Sequence, residues 1–130
     1  MKSKLIVISI LFSMAFALLI LSAKGYDEVN QCLFKYKSEW GKPCANCPEP
    51  ISTKSYRVYF RNECYTKLDI KVATQEIDKR WKTYTKLQAG YGDTIVAYAC
   101  KGTGKYLYWV KRSDDSSVEL PSDNEVSEIP

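Results

Sequence analysis

The sequence predicts a mainly β protein, a small antiparallel β-sandwich or partly open barrel of about five strands with a short N-terminal helix and a disulfide-pinned loop. Three observations lead to this prediction. Apolar and polar residues alternate along short runs between Ser55 and Arg112, turn signals separate these runs, and five cysteines follow the N-terminal apolar segment. Strict alternation places one face of a strand on a core and the other in water. Sequential strands with short connections pair as antiparallel neighbours in a sandwich or small barrel.

The N-terminus has the features of a secretory signal peptide, which we predict over residues 1–25. A basic start precedes an apolar run from Leu5 to Ala23, and small residues stand near its end. Cleavage after Ala23 and cleavage after Gly25 both fit this pattern. The alternative is an uncleaved anchor, because about nineteen apolar residues just suffice to span a membrane. Either way the remainder is expected to be exported to the periplasm, the cell surface or the medium.

Residues 26–54 are expected to form the N-terminal helix and a cysteine-rich loop. Within Asp27–Trp40 the apolar residues fall at helical spacing, which predicts an amphipathic helix ending near Gly41. An extended arm is the alternative, since a helix of about 14 residues is marginal without packing. The loop from Gly41 to Thr53 holds three prolines, which exclude a helix and a central strand. Its two cysteines are therefore expected to hold it in place.

Residues 55–112 are predicted to be the β-domain. Five strands follow from the alternation: Tyr56–Arg61, Leu68–Thr74, Trp81–Leu87, Thr94–Cys100 and Lys105–Lys111. The turn signals between them are Arg61-Asn62-Glu63, the polar Gln75–Lys79, Gly90-Tyr91-Gly92-Asp93 and Gly102-Thr103-Gly104.

Charge is divided unevenly along the chain. Residues 26–112 carry 16 Lys and Arg against 9 Asp and Glu, whereas residues 113–130 carry 6 acidic and no basic residues. We predict an acidic disordered tail over residues 113–130, because this segment has few apolar residues to order it. The tail could instead fold back on its domain and screen it. A basic face that seeks an acidic partner is a further interpretation.

The chain contains no histidine. Ser-His-Asp and Cys-His catalysis and imidazole-ligated zinc are therefore excluded. No phosphate-binding loop or spaced carboxylate pair suggests another reaction, and no cofactor or metal is expected. Thiol–disulfide chemistry is the one enzymatic candidate.

Cys44-Ala45-Asn46-Cys47 is a Cys-x-x-Cys motif, and Cys44 and Cys47 are the candidate redox residues. A redox pair depends on a thiolate stabilised at a helix N-terminus. Pro48 and Pro50 follow at once, which favours a local staple or one half of a longer bridge. A zinc site would need four thiolates from scattered loops in an oxidising compartment, and the motif does not favour one.

A disulfide between Cys64 and Cys100 is predicted. Both cysteines stand at strand ends beside turns, where antiparallel neighbours can bring Cα atoms within about 5.5–6 Å. Closing a loop of about 37 residues would stabilise the fold by roughly 4 kcal/mol in the chain-entropy model. Cys32 would then join Cys44 or Cys47, or remain free.

Aromatic side chains on the predicted strands form a candidate binding face, namely Tyr84, Tyr106, Tyr108 and Trp109. Aromatic residues on an exposed strand face recognise sugars, peptides or proteins. At least half of them are alternatively expected in the core or in cross-strand ladders, as in other small β-proteins.

Residues 58–109 resemble an uncharacterised family of small exported bacterial β-sandwich domains. The shared features, in order, are a strand, Asn62-x-Cys64, Ile70-x-Val72-Ala73, Trp81, Leu87-x-x-Gly90 and the aromatic run Tyr106 to Trp109. The chain departs from the pattern in its Cys-x-x-Cys arm and in Ala89, where such turns often carry proline. The resemblance implies a sandwich and an envelope location, and no catalytic residue can be carried over from it.

The function expected from the sequence is an exported, non-enzymatic binding or accessory domain, such as an envelope-complex subunit, an inhibitor or an immunity-type protein. The alternative is a thiol–disulfide protein that uses the Cys44-x-x-Cys47 pair. The expected partner is another envelope or extracellular protein. Nucleic acid is not expected, because export separates the protein from it and no recognition motif is present. Membrane contact is expected only if Leu5–Ala23 is retained.

Overall fold

The computed structural model describes residues 28–44, 46–48 and 53–130. The predicted signal peptide or anchor over residues 1–25 lies outside this range. Residues 28–32 are helical, and Cys32–Pro130 forms one compact unit. Within the described residues, every helix is too short or too polar to cross a membrane.

The described residues of the compact unit form six antiparallel strands, which confirm the predicted small β-sandwich. The strands are β1 (Leu33–Trp40), β2 (Tyr56–Asn62), β3 (Leu68–Glu76), β4 (Trp81–Ala89), β5 (Thr94–Ala99) and β6 (Gly102–Arg112). Sheet A has the order β1-β2-β5, and sheet B has the order β4-β3-β6. The five strands predicted from the sequence correspond to β2 through β6, and β1 is an addition.

The core lies between the two sheets, as the alternation requires. In β2, Val58 and Phe60 are buried while the residues between them are partly exposed. The Phe60 ring packs against Tyr106 and Tyr108 of sheet B, with ring centroids 5.9 and 5.1 Å away. In β3 nearly every side chain is buried, so this strand must be covered on both of its faces.

The predicted helix over Asp27–Trp40 is wrong for residues 33–40, which form β1. This strand pairs with β2 from Leu33 opposite Asn62 to Trp40 opposite Tyr56, with a bulge between Lys35 and Lys37. Pairing satisfies the backbone polar groups on one side of the strand, whereas an isolated helix of this length is marginal. The extended alternative therefore describes this segment correctly.

The predicted Cys64–Cys100 disulfide is wrong. The structure pairs Cys32 with Cys64 and Cys47 with Cys100, and it leaves Cys44 free and buried. The antiparallel register explains the error, because Tyr56 lies opposite Ala99 and Arg61 opposite Thr94. Cys64 and Cys100 therefore lie at opposite ends of sheet A.

The two disulfides close long loops, with sequence separations of 32 and 53 residues. Each would contribute about 4 kcal/mol in the chain-entropy model. Two disulfides in one small unit indicate an oxidising compartment.

The acidic tail is ordered, contrary to the predicted disorder of residues 113–130. Asp123–Ser127 forms a short helix, which begins with a capping box between Ser122 and Glu125. Val126 of this helix is fully buried, and the helix contacts β4. The tail thus folds back on the domain, which was the alternative interpretation, and it supplies the outer cover of sheet B.

Candidate binding face and cysteine cluster

The outer face of sheet A carries aromatic, basic and apolar side chains that the described residues leave largely uncovered. Its central members are Phe34, Tyr36, Tyr59, Arg61 and Val96, and we call this set the aromatic face. The β1–β2 and β2–β5 registers bring these residues together on one side of the sheet. Phe34, Tyr36 and Val96 are exposed, although each is a large apolar or aromatic residue.

Contacts between neighbouring strands order this face. The Arg61 guanidinium lies 5.2 Å from the Tyr36 ring centroid, and the Tyr36 and Tyr59 rings lie 5.8 Å apart. The Tyr59 hydroxyl donates a hydrogen bond to Glu39 at 2.8 Å. The pKa of the Glu39 carboxyl is lowered by its hydrogen bond with Lys37 and by the bond from Tyr59.

Asn62 joins the two loops at one end of the aromatic face, and its side chain is fully buried. The Asn62 amide donates to the Thr66 carbonyl at 2.9 Å and to the Ala89 carbonyl at 3.0 Å, and its oxygen accepts from the Cys64 N–H. Its backbone exchanges hydrogen bonds with Asp93 and Gly92. A buried amide with its bonding capacity filled holds both loops in fixed positions.

These loops present a stacked pair of tyrosines, Tyr65 and Tyr91, which we call the tyrosine platform. The rings are 4.7 Å apart and nearly parallel, at 14°. Tyr65 is 87% exposed and Tyr91 is 60% exposed. Beside the platform is an open cavity of about 470 Å³, lined by Arg61, Asn62, Glu63, Tyr91 and Gly92.

Arg61 connects the platform with the aromatic face. Its guanidinium pairs with Glu63 at 2.7 Å while it covers the Tyr36 ring. The hydrogen bond that Arg61 donates to Glu63 raises the pKa of Arg61 above its ordinary value. Aromatic rings and an arginine in fixed positions are the residue types that dominate protein-binding hot spots.

The opposite end of sheet A is covered by the loop after β1. The Arg57 guanidinium donates to the Pro43 carbonyl and lies 3.8 Å from the Cys44 sulfur. Asn46 of the same loop donates to the Tyr98 hydroxyl at 3.5 Å.

A cluster of three cysteines lies where this loop meets the end of β5. Cys47 of the loop is bonded to Cys100, and the Lys82 ammonium of β4 lies 3.2 Å from the Cys100 sulfur. The neighbouring Tyr84 hydroxyl donates to the Tyr98 carbonyl at 2.8 Å. Burial, and then the adjacent Tyr98, raise the pKa of Tyr84 well above its ordinary value.

The structure separates the aromatic residues that the sequence brought forward as a binding face. Tyr106 and Tyr108 contact Phe60 of sheet A, although Tyr108 stays 43% exposed, and Tyr84 packs on Tyr98. Trp109 lies opposite Lys71 in the register, on the outer side of sheet B that the tail covers. The core and cross-strand alternative therefore describes Tyr84 and Tyr106.

The predicted redox residues Cys44 and Cys47 lie in one turn but are not bonded to each other, because Cys47 is paired with Cys100. Groups of three or more metal-binding side chains do not occur in the part of the chain that the structure describes.

Sequence reasoning missed the tyrosine platform, because Tyr65 and Tyr91 lie between the predicted strands and the candidate face was sought on the strands. That position was itself an available signal. A tyrosine between two glycines, as in Gly90-Tyr91-Gly92, has small neighbours and stands on a surface turn, which favours an exposed ring.

Comparisons of the chain with models of protein families, with curated proteins and with solved structures found no match. The resemblance of residues 58–109 to exported bacterial domains therefore stays an expectation.

Proposed function

We propose that this protein is an exported, non-enzymatic binding domain, which docks a segment of another protein on the aromatic face and the tyrosine platform. The observation that carries the proposal is the platform itself. Two exposed, stacked tyrosines stand on loops that a fully buried asparagine and a disulfide hold in place. Rigid aromatic side chains lose little conformational entropy on binding, so they contribute strongly to an interface.

The chemistry of the expected partner follows from charge. Lys37 and Arg61 lie on the outer side of sheet A, beside the rings of Tyr59 and Tyr36. Lys35 instead faces the Tyr106 ring of sheet B, and Arg57 is held by the loop after β1. The outer side of sheet B is also flanked by basic residues, and there the chain supplies an acidic segment with one buried valine as the cover. We therefore propose that the partner presents an acidic segment with a few apolar residues to sheet A.

The export part of the proposal rests on the N-terminal signal pattern and on the oxidising environment that the two disulfides indicate. An envelope-complex subunit, an inhibitor and an immunity-type protein all fit a binding domain of this kind. N-terminal sequencing of the mature protein tests export directly. A mature protein that starts near Lys24 or Tyr26 supports a cleaved signal peptide. A start at Met1 would support the uncleaved anchor instead.

The binding proposal is tested by capture of partners from the native envelope with tagged wild-type protein and with variants. The double variant Tyr65→Ala with Tyr91→Ala should lose at least about tenfold in affinity, as hot-spot tyrosines do. Arg61→Glu should weaken capture further and reduce its salt dependence. Ile77→Ala is the matched control, because Ile77 is also exposed but stands in the turn before β4, whereas Tyr91 follows the far end of that strand.

A partner captured equally well by wild type and by the double tyrosine variant would contradict the proposed site. Recovery of no partner across several salts and detergents would count against the binding function as a whole. Unfolding in urea should show that the variants stay folded, because the substituted rings are exposed in the free protein.

A further inference from the structure

A free thiol and a disulfide lie close together along the chain beside β5. Cys44 is a buried free thiol, and the next cysteine along the chain, Cys47, is half of the Cys47–Cys100 disulfide. The backbone N–H of Cys47 donates to the carbonyl of Cys44 at 3.2 Å, which closes a four-residue turn. Such a turn brings the first and fourth Cα atoms within about 7 Å, close to the separation that a disulfide needs.

A cation lies beside each of the two sulfurs that would carry charge in an exchange. The Arg57 guanidinium is 3.8 Å from the Cys44 sulfur, and the Lys82 ammonium is 3.2 Å from the Cys100 sulfur. Lys82 also pairs with Glu76 at 3.1 Å, and Glu76 accepts the Cys100 backbone N–H. The Lys82 ammonium also lies over the ring of Tyr98, 5.7 Å from the ring centroid.

From this arrangement we infer that Cys44, Cys47 and Cys100 form an internal thiol–disulfide exchange centre. The Cys44 thiolate attacks the sulfur of Cys47, the Cys44–Cys47 bond forms, and the Cys47–Cys100 bond breaks. The electron pair of the broken bond stays on Cys100, which leaves as a thiolate beside Lys82. The proton lost by Cys44 returns to the solvent or to Cys100, so the number of disulfides is unchanged and no outside oxidant or reductant takes part.

Exchange would move the free thiol to a more accessible place. Cys44 is buried, whereas Cys100 is partly exposed at the end of β5. The loop carrying Cys47 would at the same time lose its covalent link to β5. The inference does not depend on the proposed binding function, since the aromatic face lies on the outer side of sheet A and the exchange uses only this cluster.

The test traps the freed thiol in the intact protein. Wild-type protein is kept at pH 8 without denaturant in the presence of N-ethylmaleimide, and peptides are mapped under non-reducing conditions over several hours. The label should accumulate on Cys100 together with a Cys44–Cys47 disulfide, at a rate independent of protein concentration. Label on Cys44 alone, with Cys47–Cys100 intact, would overturn the inference.

Variants assign the roles. Cys44→Ser should abolish labelling of Cys100, and labelling that persists would contradict an attack by Cys44. Lys82→Met should slow the exchange by about threefold or more, since a leaving sulfur departs faster when its thiolate is stabilised, and Lys82→Arg should restore the rate. Lys86→Met is the control, because Lys86 is on the same strand but donates to the Thr94 carbonyl instead. An unchanged rate in Lys82→Met would remove Lys82 from the reaction.

A second route isolates the product. In Cys100→Ser, Cys47 has lost its partner, and oxidised glutathione should convert Cys44 and Cys47 to a disulfide within one molecule. Two free thiols in that variant, or disulfide-linked dimers, would show that the turn does not bring the two sulfurs together.

Discussion

The outer faces of the two sheets are built from similar residues but differ in how far the chain covers them. The sheet B face presents Lys71 and Trp109, and the chain covers it with its own C-terminal segment. The sheet A face presents Arg61 and aromatic rings, and the described residues leave its centre open. One basic and aromatic sheet face is thus covered by the same chain, and the other is left open by the residues that the structure describes.

The C-terminal segment is held on the outer face of sheet B by a few polar contacts and one buried side chain. The Lys71 ammonium is almost fully buried, donates to the Pro121 carbonyl at 2.8 Å and pairs with Asp123 at 2.6 Å. The Thr83 hydroxyl donates to the same carboxylate, and the Trp81 N–H donates to the Ile129 carbonyl at 2.9 Å. A few polar anchors surround the single buried valine, so a short acidic segment is enough to cover such a sheet.

Among substitutions on the two outer faces, Val126→Asp is expected to cause the largest loss of unfolding free energy. Burial of a valine is worth about 1.5–3 kcal/mol, and a carboxylate at this position cannot stay buried without a partner. The tail should detach, which limits the loss of unfolding free energy to about 2–3 kcal/mol. Val96→Asp on the aromatic face should cost about 1 kcal/mol or less, because Val96 is already exposed. Urea unfolding measures both, and equal losses would mean that the two faces do not differ in cover.

Acid should release the tail before it disturbs sheet A. The hydrogen bond from Lys71, and then the bond from Thr83, lower the pKa of Asp123 below its ordinary value. The stabilising contact is therefore complete above about pH 4 and is lost as the pH falls through the lowered pKa. Amide exchange of residues 122–129 should increase in this range while the β2 and β5 amides stay protected.

Asp123→Asn is the matched control for the acid experiment, because asparagine keeps an acceptor oxygen but does not titrate. Tail protection in this variant should be weaker at pH 7 and should change less between pH 5 and pH 3. Identical pH profiles for the variant and the wild type would show that Asp123 is not the group responsible.

A smaller effect is expected for Lys71→Met, whose unfolding free energy should lie within about 1 kcal/mol of that of the wild type. Methionine fills a similar volume and removes a buried charge, and replacing a buried ion pair with apolar groups is often neutral. The exposed Asp123 and the Pro121 carbonyl can turn to water. A loss above about 3 kcal/mol in urea unfolding would make Lys71, and not Val126, the main anchor of the tail.

The smallest effect is expected for Tyr59→Phe on the aromatic face, where the urea midpoint should not change measurably. The lost hydrogen bond to Glu39 is only part-buried, so water can reach the carboxylate and replace it. The pKa of Glu39 should rise slightly towards its ordinary value, because one of the bonds that lower it is gone. A clear loss of stability would show that the aromatic face supports the fold as well as any partner.

The β-domain could be predicted from the sequence because each strand is marked by the pattern of its own residues. Alternation along β2 and the turn at Gly90–Asp93 depend on neighbouring residues only, and the strands follow closely. The predicted turn at Gly102–Gly104 is wrong, because these residues begin β6 and the turn lies at Cys100 and Lys101. The platform could have been found in the same way, from tyrosines in turn positions. The role of Asn62 could not, since its hydrogen bonds reach Ala89, 27 residues away.

The predictions that were wrong concern segments whose conformation depends on residues far away in the chain. Leu33–Trp40 has helical spacing, but pairing with β2 makes it a strand. The cysteine pairs depend on which strand ends are adjacent, and the antiparallel register of β2 and β5 carries Cys64 away from Cys100. The tail has too few apolar residues to fold alone, and it becomes ordered because Lys71 and β4 offer it a surface.

The sequence by itself thus determined the β class, the turn at Gly90–Asp93 and the oxidising chemistry of the cysteines, all of which follow from local patterns and composition. The tertiary structure alone decided which cysteines are bonded, which sheet face the tail covers and which face stays open. The physical reason is that a strand's register and its outer neighbours are set by contacts between residues far apart in the chain, and a single short segment carries no record of them.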